Sequence, residues 1–391
     1  FIIVVSSIYT YVGWRLIRPA QLRRPFKQLA WAGLYALLAA FGFIVVLRLA
    51  EIEAPWGDSL SWIAFVSFGA VILLFSLVAI RDLAGLVALA LRRIVLWARH
   101  IAQPEAEPST ALDPSRRRFL VQSSNLGILI LSGGLTGYGF YEARRRPEVV
   151  DILVPIVNLP DEFEGFRIAQ ITDIHAGPTI KRGWIADVVS EANRLKPDLT
   201  AVTGDLVDGT AQYLRDDVAP ISDLRAPYGV YFITGNHEYY SGVKQWLGEV
   251  ERLGLTILLN QHVVIERGNK HIVLAGVTDY AAGAWLPSHR SDPGLALAGS
   301  PPRVPRILLA HQPRSIYAAA KEGYDLQISG HTHGGQFFPG NILASLAQPY
   351  LSGLHKHDNT WIYVSRGTGY WGPPIRVAEP SEITIITLTR A

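Results

Sequence analysis

Two nearly charge-free runs close to the start, Leu29–Leu47 and Leu60–Ile80, limit what this chain can fold into. Each holds about 20 residues, the helix length that crosses the ~30 Å hydrocarbon core of a bilayer. Buried helices of a soluble domain fit poorly, because they rarely carry several such runs. Phe1–Gly13 is apolar but short, and Leu83–Trp97, with Arg92 and Arg93, reads as an interfacial or amphipathic helix. Phe119–Tyr141 is a further span candidate, moderately apolar, with Gln122, Asn125 and six glycines or serines in its middle. Residues 1–146 therefore read as a transmembrane helical region.

Charge orients the spans. Arg15, Arg18, Arg23, Arg24 and Lys27 follow the first apolar run. Arg81, Arg92, Arg93, Arg99, Arg116, Arg117 and Arg118 lie between the third and fourth. The connection Glu51–Ser59 carries Glu51, Glu53 and Asp58 and no base. Basic loops stay cytoplasmic, so the segment after the last span is expected outside the cell membrane, with the protein multi-pass. Arg144, Arg145 and Arg146 pull the other way. The stretch "SRRRFL", residues 115–120, resembles a twin-arginine export signal, although it follows three apolar runs; an ordinary basic flank of a membrane helix accounts for it equally well. No A-x-A-like cleavage site follows, so the segment stays as an anchor.

Composition divides at the same place. Residues 1–146 carry 16 Lys+Arg against 8 Asp+Glu, whereas 147–391 carry 20 against 25. The acidic balance of the second part is a poor match for nucleic acid, and none is expected as a partner. With no cysteine, disulfides and thiolate metal sites are excluded. Methionine is also absent, even at position 1, which suggests a truncated or edited sequence.

From Val149 the pattern changes to short β-rich runs alternating with helical stretches. Strands are expected at Val150–Val157, Phe166–Ile171, Leu199–Val202, Val230–Ile233, Thr256–Leu259, His262–Glu266, His271–Ala275, Arg306–Leu309, Leu326–Ile328, Trp361–Val364 and Ile383–Leu388. Arg182–Leu195 and Val243–Leu253 have helical periodicity, and Pro287–Pro305 reads as a long surface loop. The alternation predicts an α/β domain over 147–391.

Residues that ligate metals recur at the ends of these strands. "ITDIH" supplies Asp173 and His175, "VTGDLVD" Asp205, "ITGNHE" Asn236, His237 and Glu238, "LLAHQP" His311, and "ISGHTH" His331 and His333. His331 and His333, at i and i+2, are expected on one side of a strand. Ligand sites in open α/β sheets gather outside the carboxyl ends of strands, so these segments can converge on one crevice. Singly, Asp205 reads equally as a turn or helix cap, Asn236 as a turn residue and His311 as a core histidine; together they form a nitrogen and oxygen ligand set large enough for two divalent cations.

The order DxH, GD, GNHE, a lone His and GHTH resembles the calcineurin-like metallophosphoesterases over about Phe166–Leu388. "GHTHGGQ" and "SRGTGYWGPPIR" are similar to the bacterial membrane-associated or exported branch of that family. The resemblance implies a four-layered α/β/β/α sandwich and a two-metal centre, with Mn first among Mn, Fe and Zn. It implies that Asp173, His175 and His333 hold one cation, that Asn236, His311 and His331 hold the other, and that Asp205 bridges them. His237 is left as the catalytic acid, steered by an acidic neighbour for which Glu238 is the candidate. Arg366 and Arg376 are candidates for gripping substrate phosphate, and surface or structural roles suit them equally. His100, His262, His271 and His289 read as structural, and His355 and His357 as part of a polar turn. The activity implied is hydrolysis of a phosphodiester or related phosphate ester at the membrane. A pyrophosphatase acting on a lipid- or nucleotide-linked substrate, or a non-catalytic envelope-binding protein retaining the fold, are the alternatives.

Overall fold

The computed structural model describes residues 2–53, 55–102 and 113–391. Phe1 lies outside them, as do the side chains of Arg99 and His100. The chain forms two compact units: Phe1–Val46 with Ile63–Tyr138, and Leu47–Trp62 with Gly139–Ala391. The second unit thus takes in the acidic connection Leu47–Trp62.

The first unit is helical. Its helices are α1 (Ile2–Leu16), α2 (Arg24–Leu49), α3 (Pro55–Ala102) and α4 (Pro114–Arg144), and the last turns of α2 and α4 and the start of α3 run into the second unit. By length and composition, α2, the Pro55–Ala98 part of α3, and α4 can each cross a membrane. Leu83–Trp97, expected as a separate helix, instead continues Leu60–Ile80 without a break. No proline interrupts that stretch, and a single glycine inside a helix is tolerated.

The second unit carries twelve strands: β1 (Glu148–Ile156), β2 (Arg167–Ile171), β3 (Leu199–Val202), β4 (Val230–Phe232), β5 (Thr256–Ile257), β6 (Gln261–Arg267), β7 (Lys270–Gly276), β8 (Arg306–Leu309), β9 (Leu326–Ser329), β10 (Gly353–His357), β11 (Thr360–Val364) and β12 (Glu382–Arg390). They pair as two six-stranded mixed sheets, β1-β12-β2-β3-β4-β5 and β10-β11-β9-β8-β7-β6. The expected strands are present within a few residues. β10 was not expected: His355 and His357 lie on a strand that pairs antiparallel with β11, where a polar turn was read. Pairing with β11 decides it, with His355 opposite Ile362 and His357 opposite Thr360, and His355 also stacks on Tyr350, ring centroids 4.6 Å apart.

Strand alternation dictates the layers, since successive side chains face opposite sides. Leu199, Ala201 and Tyr231 of the first sheet and Ile307, Leu309, Leu326, Ile328 and Tyr363 of the second share one core between the sheets. The neighbours Val202 and Phe232 point the other way, onto Val188, Leu214 and Val250 of the helices Arg182–Arg194, Ala211–Val218 and Val243–Arg252. Leu308 likewise turns outward onto Ala296, Ala319 and Tyr324. Helix, sheet, sheet, helix is the resulting stack.

Candidate metal centre

The central parallel strands β2, β3, β8 and β9 run directly into the segments that carry Asp173, His175, Asp205, His311, His331 and His333. Five of those side chains leave a left-handed backbone: φ is 55° at Asp173, 53° at His175, 50° at Asp205, 74° at His331 and 51° at His333. Positive φ is uncommon for non-glycine residues and is held only where the surroundings over-determine it. His331 and His333 therefore do not share a strand face as expected. β9 has ended at Ser329, and the two imidazoles diverge into different groups. Close approach explains two glycines of the motifs. A Cβ on Gly235 would overlap the Asp205 carboxylate, and one on Gly330 would overlap that of Asp173.

The first group is Asp173, His175 and His333, whose ligand atoms lie within 4.8 Å of one another. Asp173 accepts the backbone N–H of His331 at 3.0 Å and the hydroxyl of Thr172 at 2.8 Å. His175 and His333 face each other through their Nε2 atoms at 3.0 Å. Burial, then the neighbouring His175 and Arg376, hold His333 well below the usual histidine range, so its ring is neutral.

The second group is Asp205, His311 and His331, again within 4.8 Å. The carbonyl of Thr203 lies 2.8 Å from His311 Nδ1 and fixes that nitrogen as a donor, which turns Nε2 toward Asp205 Oδ2 at 3.0 Å. Burial, then the charge of His311, push His331 down to about 3, leaving a neutral imidazole. Asn236 Oδ1 and His331 Nδ1 are buried without a hydrogen-bond partner. Orphaned buried polar atoms are costly, and these are the donor types that a divalent cation takes. The residues fit such a group. Asp205 Oδ2 also lies 3.8 Å from His175 Nε2, which puts this carboxylate between the two groups.

His237 stands beside both. With Asn236 it opens the short helix Asn236–Tyr240, and its N–H donates to Asp205 Oδ1 at 2.8 Å. Its Nδ1 is in a short hydrogen bond with Asp208 Oδ1, and that oxygen also lies 3.1 Å from His175 Nδ1. Burial disfavours the charged ring, but Asp208 and then Asp205 outweigh it and push His237 up to about 9. Burial likewise opposes ionisation of Asp208, but His237 and His175 hold its carboxyl well below the usual range.

The domain model described as calcineurin-like phosphoesterase matches residues 166–335. A Danio rerio protein named "Transmembrane protein with metallophosphoesterase domain" is 36% identical over 367 residues, covering 92% of this chain and 79% of its own length. The chain belongs to the calcineurin-like metallophosphoesterase family. A Bos taurus protein with the same name is 40% identical over 268 residues, covering 66% of this chain and 60% of its own. A Helicobacter pylori "Uncharacterized metallophosphoesterase" is 38% identical over 277 residues, covering 70% and 72%. Similar metallophosphoesterases thus occur in bacteria and vertebrates.

Two expectations about this metallophosphoesterase are corrected by the side chains. Glu238 does not steer His237. Its carboxylate accepts the N–H groups of Asp205 at 3.0 Å, Leu206 at 2.8 Å and Gly235 at 2.6 Å, pinning two motif loops together. Asp208 takes the steering place. Its signal in the sequence is a second carboxylate, three residues after Asp205 in "VTGDLVD". Arg376 does not grip substrate either. It is 0% exposed, and its guanidinium donates to the carbonyls of Gly369, Arg366 and Glu379 and to His333 Nδ1 at 3.0 Å. Arg366 is half-buried and donates to Glu382 Oε2 at 2.6 Å. Among the histidines read as structural, His262 bonds the carbonyl of Ala296 and His289 the hydroxyl of Tyr239.

The acidic connection contributes as well. Glu53 accepts the N–H of Thr210 at 3.1 Å, and Asp58 accepts the Tyr213 hydroxyl at 2.8 Å and pairs with Lys181 at 3.0 Å. Thr210 follows Asp208 by two residues, so this connection braces the loop that holds His237.

Proposed function

We propose that this chain is a membrane-anchored, metal-dependent phosphoesterase that hydrolyses a phosphodiester or a related phosphate ester by way of a water activated between two divalent cations, Mn foremost. The observation that carries the reading is Asp205, whose Oδ2 lies 3.0 Å from a nitrogen of one donor group and 3.8 Å from a nitrogen of the other. Asp173, His175 and His333 would hold one cation, Asn236, His311 and His331 the other, and Asp205 both. Bound there, such a pair would clamp a phosphoryl group and lower the pKa of a coordinated water.

The chain's own residues supply the rest. His237, pushed up to about 9, carries a proton at neutral pH and delivers it from Nε2 to the leaving alkoxide. Asp208 holds the opposite nitrogen and so fixes the ring's direction. The rings of Tyr240 and Trp371, with centroids 5.1 and 5.8 Å from that of His237, form an apolar wall beside the leaving group. A charged histidine outside both donor groups has no use in a purely structural site, which argues against a non-catalytic protein.

The spans α2, α3 and α4 make the protein multi-pass, with the catalytic unit outside. The arginine distribution supports that orientation. So does the acidic connection, because Glu53 and Asp58 hydrogen-bond residues of the catalytic unit and so lie on its side of the membrane.

The test is hydrolysis by the full chain in detergent of a bis-aryl phosphodiester, an aryl monoester and a pyrophosphate-linked ester, with Mn and after chelation. Metal-dependent turnover of the diester is expected. Asp205→Ala should lose both metal content and rate; two cations retained per chain would refute the bridging assignment.

A further inference from the structure

Four arginines, three of them on helices and one in the turn after α1, converge on a groove in the first unit, far in sequence from every metal-site motif. A cavity of about 550 Å³ is lined by Arg15 in the last turn of α1, Arg18 in the turn that follows it, Arg81 in α3 and Arg117 in the first turns of α4, with Trp14 and Leu120 on its apolar side. A second cavity of about 410 Å³ shares Arg117 with it and adds Arg118. Both belong to the "SRRRFL" segment, for which phosphoester chemistry has no use.

The charges do not cancel. Among the described residues, Asp82 is the one carboxylate paired with these arginines: it pairs with Arg15 and lies 3.0 Å from Arg81 Nη2. Arg81 also bonds Asn125 Oδ1, whose amide nitrogen donates to the carbonyl of Arg15 at 3.2 Å. Arg15 and Arg81 are therefore set in place by a built network. Arg15 Nε is buried without a hydrogen-bond partner, and an unmade bond to a charged donor is costly. Arg18 and Arg117 are exposed at the groove's mouth. Guanidinium groups suit phosphate oxygens through paired N–H donors, and basic pockets between membrane helices on the cytoplasmic side suit lipid head groups.

We propose that this groove binds the phosphate head group of an anionic phospholipid, with Arg18 and Arg117 reaching the phosphate over the fixed Arg15 and Arg81, and with acyl chains lying along Trp14 and Leu120. A lone soluble anion would leave that apolar side uncovered. The basic flank of α4 is then a lipid ligand rather than only a topology signal.

The experiment uses the full chain in a nonionic maltoside detergent, with metals chelated so that the phosphoesterase centre turns nothing over. Retained dioleoyl phosphatidic acid and dioleoyl phosphatidylcholine are counted by native mass spectrometry. One phosphatidic acid per chain is expected, held at least tenfold in preference to phosphatidylcholine. Arg18→Gln with Arg117→Gln should reduce the preference below threefold, whereas Arg92→Gln with Arg93→Gln, elsewhere on α3, should keep it. If the double variant does not fold, Arg18→Gln alone carries the test, with at least a threefold loss. Equal retention of both lipids by the parent, or a preference that survives loss of Arg18 and Arg117, would overturn the proposal. Displacement of the lipid by millimolar inorganic phosphate would also overturn it, assigning the groove to a soluble anion.

Discussion

Replacing Asp208 by Asn tests the acid catalyst without touching it. His237 is 13% exposed and is pushed up to about 9 from the ordinary 6.5, a net preference for the charged ring of roughly 3 kcal/mol. That preference survives the cost of burial, and Asp208 is the largest of the groups that create it, ahead of Asp205. Asparagine keeps an oxygen to accept from Nδ1 but removes the charge. Burial is then opposed mainly by Asp205, and the ring's pKa should fall from about 9 toward the ordinary ~6.5. A general acid works in its protonated form, so activity is complete below its pKa and lost as pH rises through it. At pH 7.5 the protonated fraction would fall from nearly all to about one tenth, a roughly tenfold loss in kcat. The loss should be largely recovered near pH 5.5. Bound cations lower both alkaline limbs, so the quantity to read is the displacement between variant and parent in paired pH–rate profiles, with metal content measured alongside. An alkaline limb that stays in place would refute the role given to Asp208, as would one displaced upward.

Three further outcomes are expected. His237→Ala should retain metal content while turnover falls by roughly 10²–10⁴, with a smaller loss for an ester whose leaving group is a weak base; equal losses on good and poor leaving groups would exclude proton donation. Arg376→Met should act on stability rather than on KM: it strands the carbonyls of Gly369, Arg366 and Glu379 in the interior, at ~1–3 kcal/mol each, and should lower the thermal midpoint by about 5 °C or more. A parent-like midpoint with a raised KM would return Arg376 to the substrate. A reporter active only in the cytoplasm, fused after Ala391, should be silent; a signal would reverse the orientation proposed for the spans.

The order of the motifs, and the strands that carry them, could be read directly. Alternation along β2, β3, β8 and β9 is a local property, and so is the end of each strand; the placement of Asp173, Asp205, His311 and His333 just past strand ends was legible for that reason. The apolar length of α2 and α3 was legible on the same grounds, because it depends on composition alone. What the sequence could not supply was direction. His331 and His333 looked like one strand face, yet each leaves a left-handed residue beyond the strand and joins a different donor group. Such a backbone is held by packing from other segments, as when Asp173 accepts the N–H of His331 from 158 positions away in sequence. Asp208 gained its place in the same way: Ala176 and Val207 form a parallel bridge, and the Asp208 N–H donates to the carbonyl of Ala176 at 2.7 Å, setting its carboxylate between His175 and His237. Glu238, adjacent to His237 in sequence, was drawn instead to three backbone N–H groups, because a buried carboxylate goes where donors converge. Arg376 was sequestered by carbonyls for the converse reason. Spacing records which residue types share an element, whereas the partner of a buried charge depends on which distant backbone groups the fold brings within hydrogen-bond reach.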